Sequence, residues 1–352
     1  MVKYNSKGGK DCISLIKHMP KKIKIKDIAK KVGCSQATVS QAFNNPKLIN
    51  RQTRAKILAV SAELGYVRQR FNKKREKIIG ITGLSQELIL GEYYNKITAA
   101  IISAAKVLGV NVIIESFSDK EIELPSMFSK KVLDGVIILG KISQEHILMI
   151  KQNNFPLVLC GHPVPGLELH TVLSDGRSGI FEATKHLIQL GHQKIAYIAG
   201  GPLFDPVTSD RLDGFRYALN EKNIPIPEDY IQISDFCALA KTQQAIENLI
   251  KIKPTAIVCE NDSLAYTTYH LLSQAGLNIP LDISLSGFDD LPFPEYLQPI
   301  KPNLTTVHVD LEELGKITLN VLLEIIENPT DIAHRHTIPV KLKIGGTTLP
   351  PR

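Results

Sequence analysis

From Ser35 to Asn44 the chain reads SQATVSQAFN. Gln36, Ala37, Thr38, Ser40, Gln41 and Asn44 are small or carry hydrogen-bonding groups. A helix presents such side chains when it reads base edges in the major groove of duplex DNA. Val39, Ala42 and Phe43 can face the other way, into a core. A helix that reads bases must be held, and the flanking residues provide for that. Ile25, Ile28, Ala29 and Val32 fall at i, i+3, i+4 and i+7, so a first helix has one apolar stripe. Gly33 and Cys34 make a tight turn, and the Ser35 hydroxyl is a natural N-cap for the second helix. Two helices joined by a short Gly-containing turn are a helix-turn-helix pattern; an ordinary helical hairpin of a globular core is the alternative. A third helix starts at Asn50 as N-cap and runs through RQTRAKILAVSAELGY. Ala55, Leu58, Ala59, Ala62 and Tyr66 are its expected buried stripe and Gly65 its stop.

Charge separates this head from the rest. Residues 1–77 hold 20 Lys and Arg against 4 Asp and Glu, a net of +16 in a chain whose total is +7, so residues 78–352 carry −9. A basic head on an acidic body is expected where the head meets phosphates and the body does not. A merely solvated basic tail would explain the charge but not the helical patterning within it. Residues 1–22 show no clear periodicity. The first 18 are a flexible arm or the product of a start assigned too far upstream, and Met19 immediately precedes the patterned region. Residues 67–77, VRQRFNKKREK, read as a charged hinge.

With 43% hydrophobic and 22% charged residues over 352 positions, the chain has the composition of a soluble globular protein of two or three domains. No apolar run of 18 residues predicts a membrane span, and the first 22 residues lack a signal-peptide core. Both features point to a cytoplasmic protein. Cys12, Cys34, Cys160, Cys237 and Cys259 are odd in number and scattered, with no metal-ligand spacing, and read as reduced thiols. No metal and no cofactor are expected. His162, His186, His192 and Asp175 are the residues that would tempt a catalytic assignment. His186 and His192, however, sit in a helix and its C-terminal turn, where a cation suits the helix dipole. No nucleophile elbow or P-loop appears, so the chain is read as a non-enzyme.

From Ile78 onward apolar strands alternate with amphipathic helices, which implies parallel sheets covered on both faces. The pattern occurs twice, so two lobes are expected. The strand ends carry Ser85, Gly140, Gly161, Gly200-Gly201, Glu260-Asn261-Asp262 and Asp289-Asp290. Ligands in such folds sit beyond the carboxyl ends of the strands, which places a binding cleft between the lobes.

Six blocks of sequence in order resemble the lactose/galactose-repressor family of transcriptional regulators: IKDIAKKVGCSQATVSQAFNN at the head, DGRSGIFEATKHLIQLGHQKIAYIAG from Asp175, RLDGF at 211–215, PTAIVCENDSLAY at 254–266, DISLSGFDD at 282–290 and NLTTVHVD at 303–310. The resemblance spans about residues 23–348. It implies a helix-turn-helix head at 23–66, a hinge at 67–77, and a two-lobed core at 78–352 like a periplasmic sugar-binding protein. Lobe 1 is expected over about 78–174 and 308–335, and lobe 2 over about 175–307 and 336–350. It further implies a homodimer on a palindromic operator in double-stranded DNA, no membrane partner, and a small effector in the cleft that changes operator affinity. Position by position, Gln36, Ala37 and Gln41 match base-reading positions. Ser35, Thr38, Ser40, Asn44, Asn50 and Thr53 match backbone-holding positions, and Arg70, Lys74 and Arg75 fall in the hinge. Tyr93, Tyr94, Gly161, His162, Arg211, Phe236, Asn261, Asp262 and Asp289 match effector positions, with Asp262 alternatively capping the helix after it and Arg211 and Asp289 alternatively pairing with each other.

Three departures stand out. Arg68 and Arg75 occupy the hinge positions that are usually proline and a wedging leucine, so a leucine lever is absent and an arginine would instead enter a narrow A-tract minor groove. Gly161 stands where sugar-responsive members have Asp, with His162 beside it, and Val207 stands where Ser or Thr is common. The pocket is therefore less polar than a disaccharide site. It suits a sugar or sugar derivative first and a nucleoside-type ligand second. The function that competes with a repressor is a small-molecule binding protein without a regulatory role, which would lack the head.

Overall fold

The computed structural model describes residues 23–44, 48–64, 66, 76–84, 91–117, 123–129, 132–234, 239–293, 303–330 and 332–352. The chain divides into two compact units, one ending at Arg75 and one beginning at Glu76.

In the head, α1 spans Ile25–Val32, α2 Gln36–Asn44 and α3 Arg51–Glu63. The Asp27 carboxylate accepts from the Lys24 N–H at the start of α1, and Gly33 ends the helix in the left-handed region at φ 78°. Ser35 caps α2 as its sequence predicts, its hydroxyl accepting from the Thr38 N–H at 3.0 Å. Ile28, Ala29, Val32, Val39 and Ala42 are buried together with Ile57. Each fully buried branched side chain contributes about 1.5–3 kcal/mol, enough to hold three short helices that would not persist alone. Of the expected stripe of α3, only Tyr66 packs on this core. Ala55, Leu58, Ala59 and Ala62 are exposed, while Ile57 and Ser61 are buried and Val60 and Leu64 pack at their sides. The alanines imitate an apolar face but have little area to bury. Ile57 has more, and Ser61 is tolerated because its hydroxyl donates to the Ile57 carbonyl.

The core starts with β1 (Ile78–Gly83), α4 (Glu92–Leu108), β2 (Asn111–Ile114), α5 (Ser126–Ser129), β3 (Gly135–Leu139), α6 (Gln144–Lys151), β4 (Leu157–Cys160) and β5 (His170–Ser174). The chain crosses into a second lobe with α7 (Gly176–Gln189), β6 (Ile195–Ala199), α8 (Pro206–Asn220), β7 (Ile231–Ile233), α9 (Leu239–Ile252), β8 (Ala256–Cys259), α10 (Asp262–Gln274) and β9 (Ser284–Ser286). It returns through β10 (Thr306–His308), α11 (Leu311–Glu327), β11 (Arg335–Ile338) and β12 (Lys341–Lys343). The first sheet has the order β11-β5-β4-β3-β1-β2 and the second β7-β6-β8-β9, with β10 and β12 paired antiparallel; every pair in the two larger sheets is parallel. The fully buried strands β3, β6 and β8, and β1 beyond Ile78, are nearly all apolar, as two covered faces require.

One expected boundary shifts. The resemblance implies a return to lobe 2 at about residue 336, but Arg335–Ile338 pairs with β5 in the first sheet. The change of sheet therefore follows Ile338. The alternation of β11 (exposed, half-buried, exposed, buried) is that of an edge strand, and it does not say which sheet it joins.

Each large sheet changes strand order once, between β1 and β3 in the first and between β6 and β8 in the second. Two adjacent strands whose connections leave in opposite directions open a crevice at their carboxyl ends. Gly140 lies at one of these crevices; Gly200 and Glu260 lie at the other.

Candidate functional site

On the head, Gln36, Ala37 and Gln41 stand exposed on one side of α2, opposite the buried Val39 and Ala42. Thr38 is half-buried and its hydroxyl is shared with Ser35 at 2.9 Å, so both residues fix the start of the helix. Asn50 caps α3 by accepting from the Gln52 N–H at 2.8 Å. Ser40 and Thr53 are half-buried at the edges of the same unit. The Asn44 side chain and the hinge residues Arg70, Lys74 and Arg75 lie outside the described residues.

In the core, Arg211 projects from α8 into the crevice of the second sheet. Its guanidinium lies 4.0 Å from the centre of the Phe288 ring, and its Nη1 donates to the Glu260 carbonyl at 2.6 Å. Nη2 is 3.6 Å from Asp289 Oδ1, an ion pair too long to be a hydrogen bond. Both side chains are under a tenth exposed, and both belong to the second lobe, so the pair does not span the cleft. Arg211 Nε and Asp289 Oδ1 are buried with no hydrogen-bond partner among the described residues. Buried polar atoms are nearly always paired, so an unpaired donor and an unpaired acceptor on these two neighbouring residues call for a partner from outside. Asp289 also holds φ 112°, a conformation side chains rarely adopt, and such strain collects at functional sites.

Electrostatics at this point are finely set. Burial opposes the charge on Arg211, but Asp289 and Glu260 outweigh it and hold the guanidinium above its ordinary value. Burial pushes the Asp289 carboxyl up to about 7, with Arg211 pulling it down and Glu260 adding to the rise. Tyr93 is raised by burial and by the nearby Asp289 and hydrogen-bonds Ser174. Tyr94 packs edge-on against it, ring centres 5.0 Å apart.

Gly161 follows β4 at φ 87°, and a side chain there would begin 3.1 Å from the ring and hydroxyl of Tyr94. The missing carboxylate at this position is thus matched by an aromatic ring that fills its space. His162 turns away from the crevice floor: Nε2 meets the Asp205 carboxylate at 3.0 and 3.1 Å.

Two expected contributors are engaged elsewhere. Asp262 is fully buried, with one oxygen accepting from Thr306 Oγ1 at 2.5 Å and the other from the Leu291 N–H at 2.8 Å. It ties the segment after β9 to the start of β10, and burial pushes its carboxyl well up. Nor does it cap α10 as its alternative role required, because the Asn261 side chain does so, accepting from the Leu264 N–H at 2.9 Å. Phe236 lies outside the described residues. The sequence reading missed Glu260 as a scaffold: its carboxylate accepts from the Gly200 N–H and the Thr208 hydroxyl, tying β6, β8 and α8 together. It also missed Asp205, although an Asp-Pro pair opening a helix is a legible cap.

Gly161 and Ser174 from one lobe and Gly176, Val207 and Arg211 from the other line a cavity of about 320 Å³, at the small end for a ligand site. A cavity of about 670 Å³ lies beside it, against the 163–169 segment and Ile332–Arg335. Arg211 lines the smaller cavity and not the larger, so the smaller one is the candidate; Asp289 lines neither and lies behind Arg211. Among the described residues no cluster of His, Cys, Asp and Glu could hold a metal ion, and no helix is long and apolar enough to cross a membrane.

Residues 24–69 match the model of bacterial regulatory proteins of the lacI family, and residues 184–348 match a periplasmic binding protein-like domain. A relative described as "Probable HTH-type transcriptional repressor ExuR", from Bacillus subtilis (strain 168), is 30% identical over 326 residues, 89% of this chain and 94% of its own length. The chain belongs to the lacI family. Catabolite control protein A of Priestia megaterium is 27% identical to this lacI-family chain, across 93% of it and 99% of the relative. The lac repressor dimer bound to operator and the anti-inducer ONPF superposes with a TM-score of 0.69 at 26% identity, covering 94% of this chain and all of that one. A lacI-family regulator from Enterococcus faecium with bound ribose gives a TM-score of 0.66 at 27% identity, over 78% of this chain and all of that one. This lacI-family chain is a DNA-binding transcriptional regulator with a ligand-binding core, and the relatives named above are regulators rather than enzymes.

Proposed function

We propose that this regulator is a cytoplasmic homodimeric repressor whose α2 helices read a palindromic operator and whose cleft takes one small polar metabolite. The exposed face of α2 supports the DNA half. Gln36 and Gln41 can pair with adenine edges and Ala37 with a thymine methyl, while Ser35, Thr38, Ser40, Asn44, Asn50 and Thr53 hold the phosphates on either side. Selection on random duplexes yields a palindromic site. Gln41→Ala weakens binding to it by about 1–3 kcal/mol and relaxes one base pair per half-site. Identical motifs from wild type and variant would remove Gln41 from base reading.

The ligand half rests on the unpaired Arg211 Nε and Asp289 Oδ1. A group that both accepts and donates, such as a sugar hydroxyl, completes them. The small cavity and the apolar Val207 favour a monosaccharide or derivative over a disaccharide, with a nucleoside second. A hydroxyl donating to Asp289 binds the ionised carboxylate. With that carboxyl near 7, affinity rises with pH through neutrality and is roughly tenfold weaker at pH 6 than at pH 8. A thermal-shift screen of sugars, sugar phosphates and nucleosides supplies the ligand, and Asp289→Asn flattens its pH profile. A ligand that stabilises Arg211→Ala and Asp289→Asn as well as wild type occupies another site.

A further inference from the structure

We propose that Lys141, His162 and Asp205 form an ionic latch that holds the two lobes together across the cleft rim without a ligand. Lys141 and His162 belong to the first lobe, where each follows a left-handed glycine at the end of one of two neighbouring strands, Gly140 after β3 and Gly161 after β4. The two cationic or cation-forming side chains therefore leave the same sheet edge together. Asp205 belongs to the second lobe, one residue before α8.

A single carboxylate collects all of them. Lys141 Nζ donates to Oδ2 at 2.8 Å, and His162 Nε2 lies 3.0 Å from the same oxygen. Oδ1 accepts from the Val207 N–H at 3.1 Å, and the positive end of α8 adds to the attraction. The other ring nitrogen of His162 faces the Pro163 carbonyl at 2.9 Å. Both ring nitrogens thus face oxygen atoms. The Asp205 side chain is only 8% exposed and that of His162 12%, so this is no solvated surface pair. Burial alone would raise the Asp205 carboxyl; hydrogen bonds from His162 and Lys141 outweigh it and hold the group well below the usual carboxylate range.

The latch gives the two polar losses at this rim a common consequence. Gly161 offers no side chain to a ligand and Val207 no hydroxyl. Instead the next residue in one lobe and the helix cap in the other bind each other. Closure at the rim is therefore built into the chain and does not depend on what occupies the Arg211–Asp289 crevice.

Hydrogen–deuterium exchange on the full chain without added ligand tests this directly. Lys141→Met and His162→Gln alter only the first lobe, and each is expected to speed exchange at residues 207–210 of the second lobe by about tenfold to a hundredfold, the scale of a hydrogen bond to a charged group. Asp205→Asn keeps an N-cap residue while removing the charge, and is expected to speed exchange at 141–146 in the first lobe. Lys141 is largely exposed, so its variant folds. Exchange that changes only in the substituted lobe, or in neither, overturns the latch and leaves the ligand reading standing. A failed ligand screen with cross-lobe exchange intact does the reverse.

Discussion

Raising salt from about 50 to 200 mM is expected to lower affinity for the selected operator roughly 10³–10⁵-fold. The size follows from the head: residues 1–77 hold 20 Lys and Arg and only 4 Asp and Glu. Lys31 is the one described Lys or Arg of the head that hydrogen-bonds an acidic side chain within it, Glu63, and that pair is exposed. A dimer that neutralises about 6–10 phosphates releases as many counterions, and the logarithm of affinity then falls linearly with that of salt at about 0.9 per phosphate. The core, at −9, adds no attraction. Fluorescence anisotropy with labelled operator at four or five salt concentrations measures the slope. A slope near zero would show that the basic head does not grip the backbone and would overturn this electrostatic account of operator binding. Gln41→Ala changes the intercept at the cognate site but not the slope, which separates base reading from phosphate attraction.

The head was legible because local signals agree there. The stripe of α1, the Gly33 turn and the Ser35 cap each specify the same structure, and the charge count needs no structure at all. Its third helix was misread because alanines were weighed like Ile57, although what decides a buried face is area. The core was legible at the level of strand and helix alternation, since doubly covered strands must be apolar. The sheet joined by β11 was not legible, because pairing partners far apart in sequence leave no local mark. In the second lobe, Arg211 and Asp289 lie 3.6 Å apart, the pairing that the sequence left as the alternative to gripping an effector. Asp262 departs from its expected place because a buried carboxylate bracing a loop against a strand and an exposed one gripping a ligand look alike in sequence. Only its two short hydrogen bonds, to Thr306 and Leu291, tell them apart. Asp205 shows the converse: its role as a cap can be read from Asp-Pro, but its partners Lys141 and His162 come from another lobe.

Gly214→Ala is expected to destabilise the core by about 3 kcal/mol or more, the upper range for overpacking a tight interior. On an exposed helix the same change would stabilise, since alanine is favoured over glycine there by about 1 kcal/mol. Here α8 crosses α7 so closely that a methyl group at 214 would lie 2.1 Å from the Arg177 carbonyl oxygen and 3.1 Å from the Phe181 nitrogen. Both obstacles are backbone, so no side-chain rotation relieves them, and the helices must separate. Separation costs more than one contact. Leu212, Phe215 and Leu219 on α8 and Ile180, Ala183 and Leu187 on α7 are buried in one cluster, and interiors packed at crystal density do not absorb such shifts. It also moves Arg211, three residues before Gly214, whose Nη1 and ring contacts fix the crevice. Calorimetry should show a fall of roughly 6–12 °C for a unit of this size. A melting temperature equal to or above that of wild type would mean that α7 and α8 can part at no cost. The close approach at Gly214 would then not be what sets the position of Arg211.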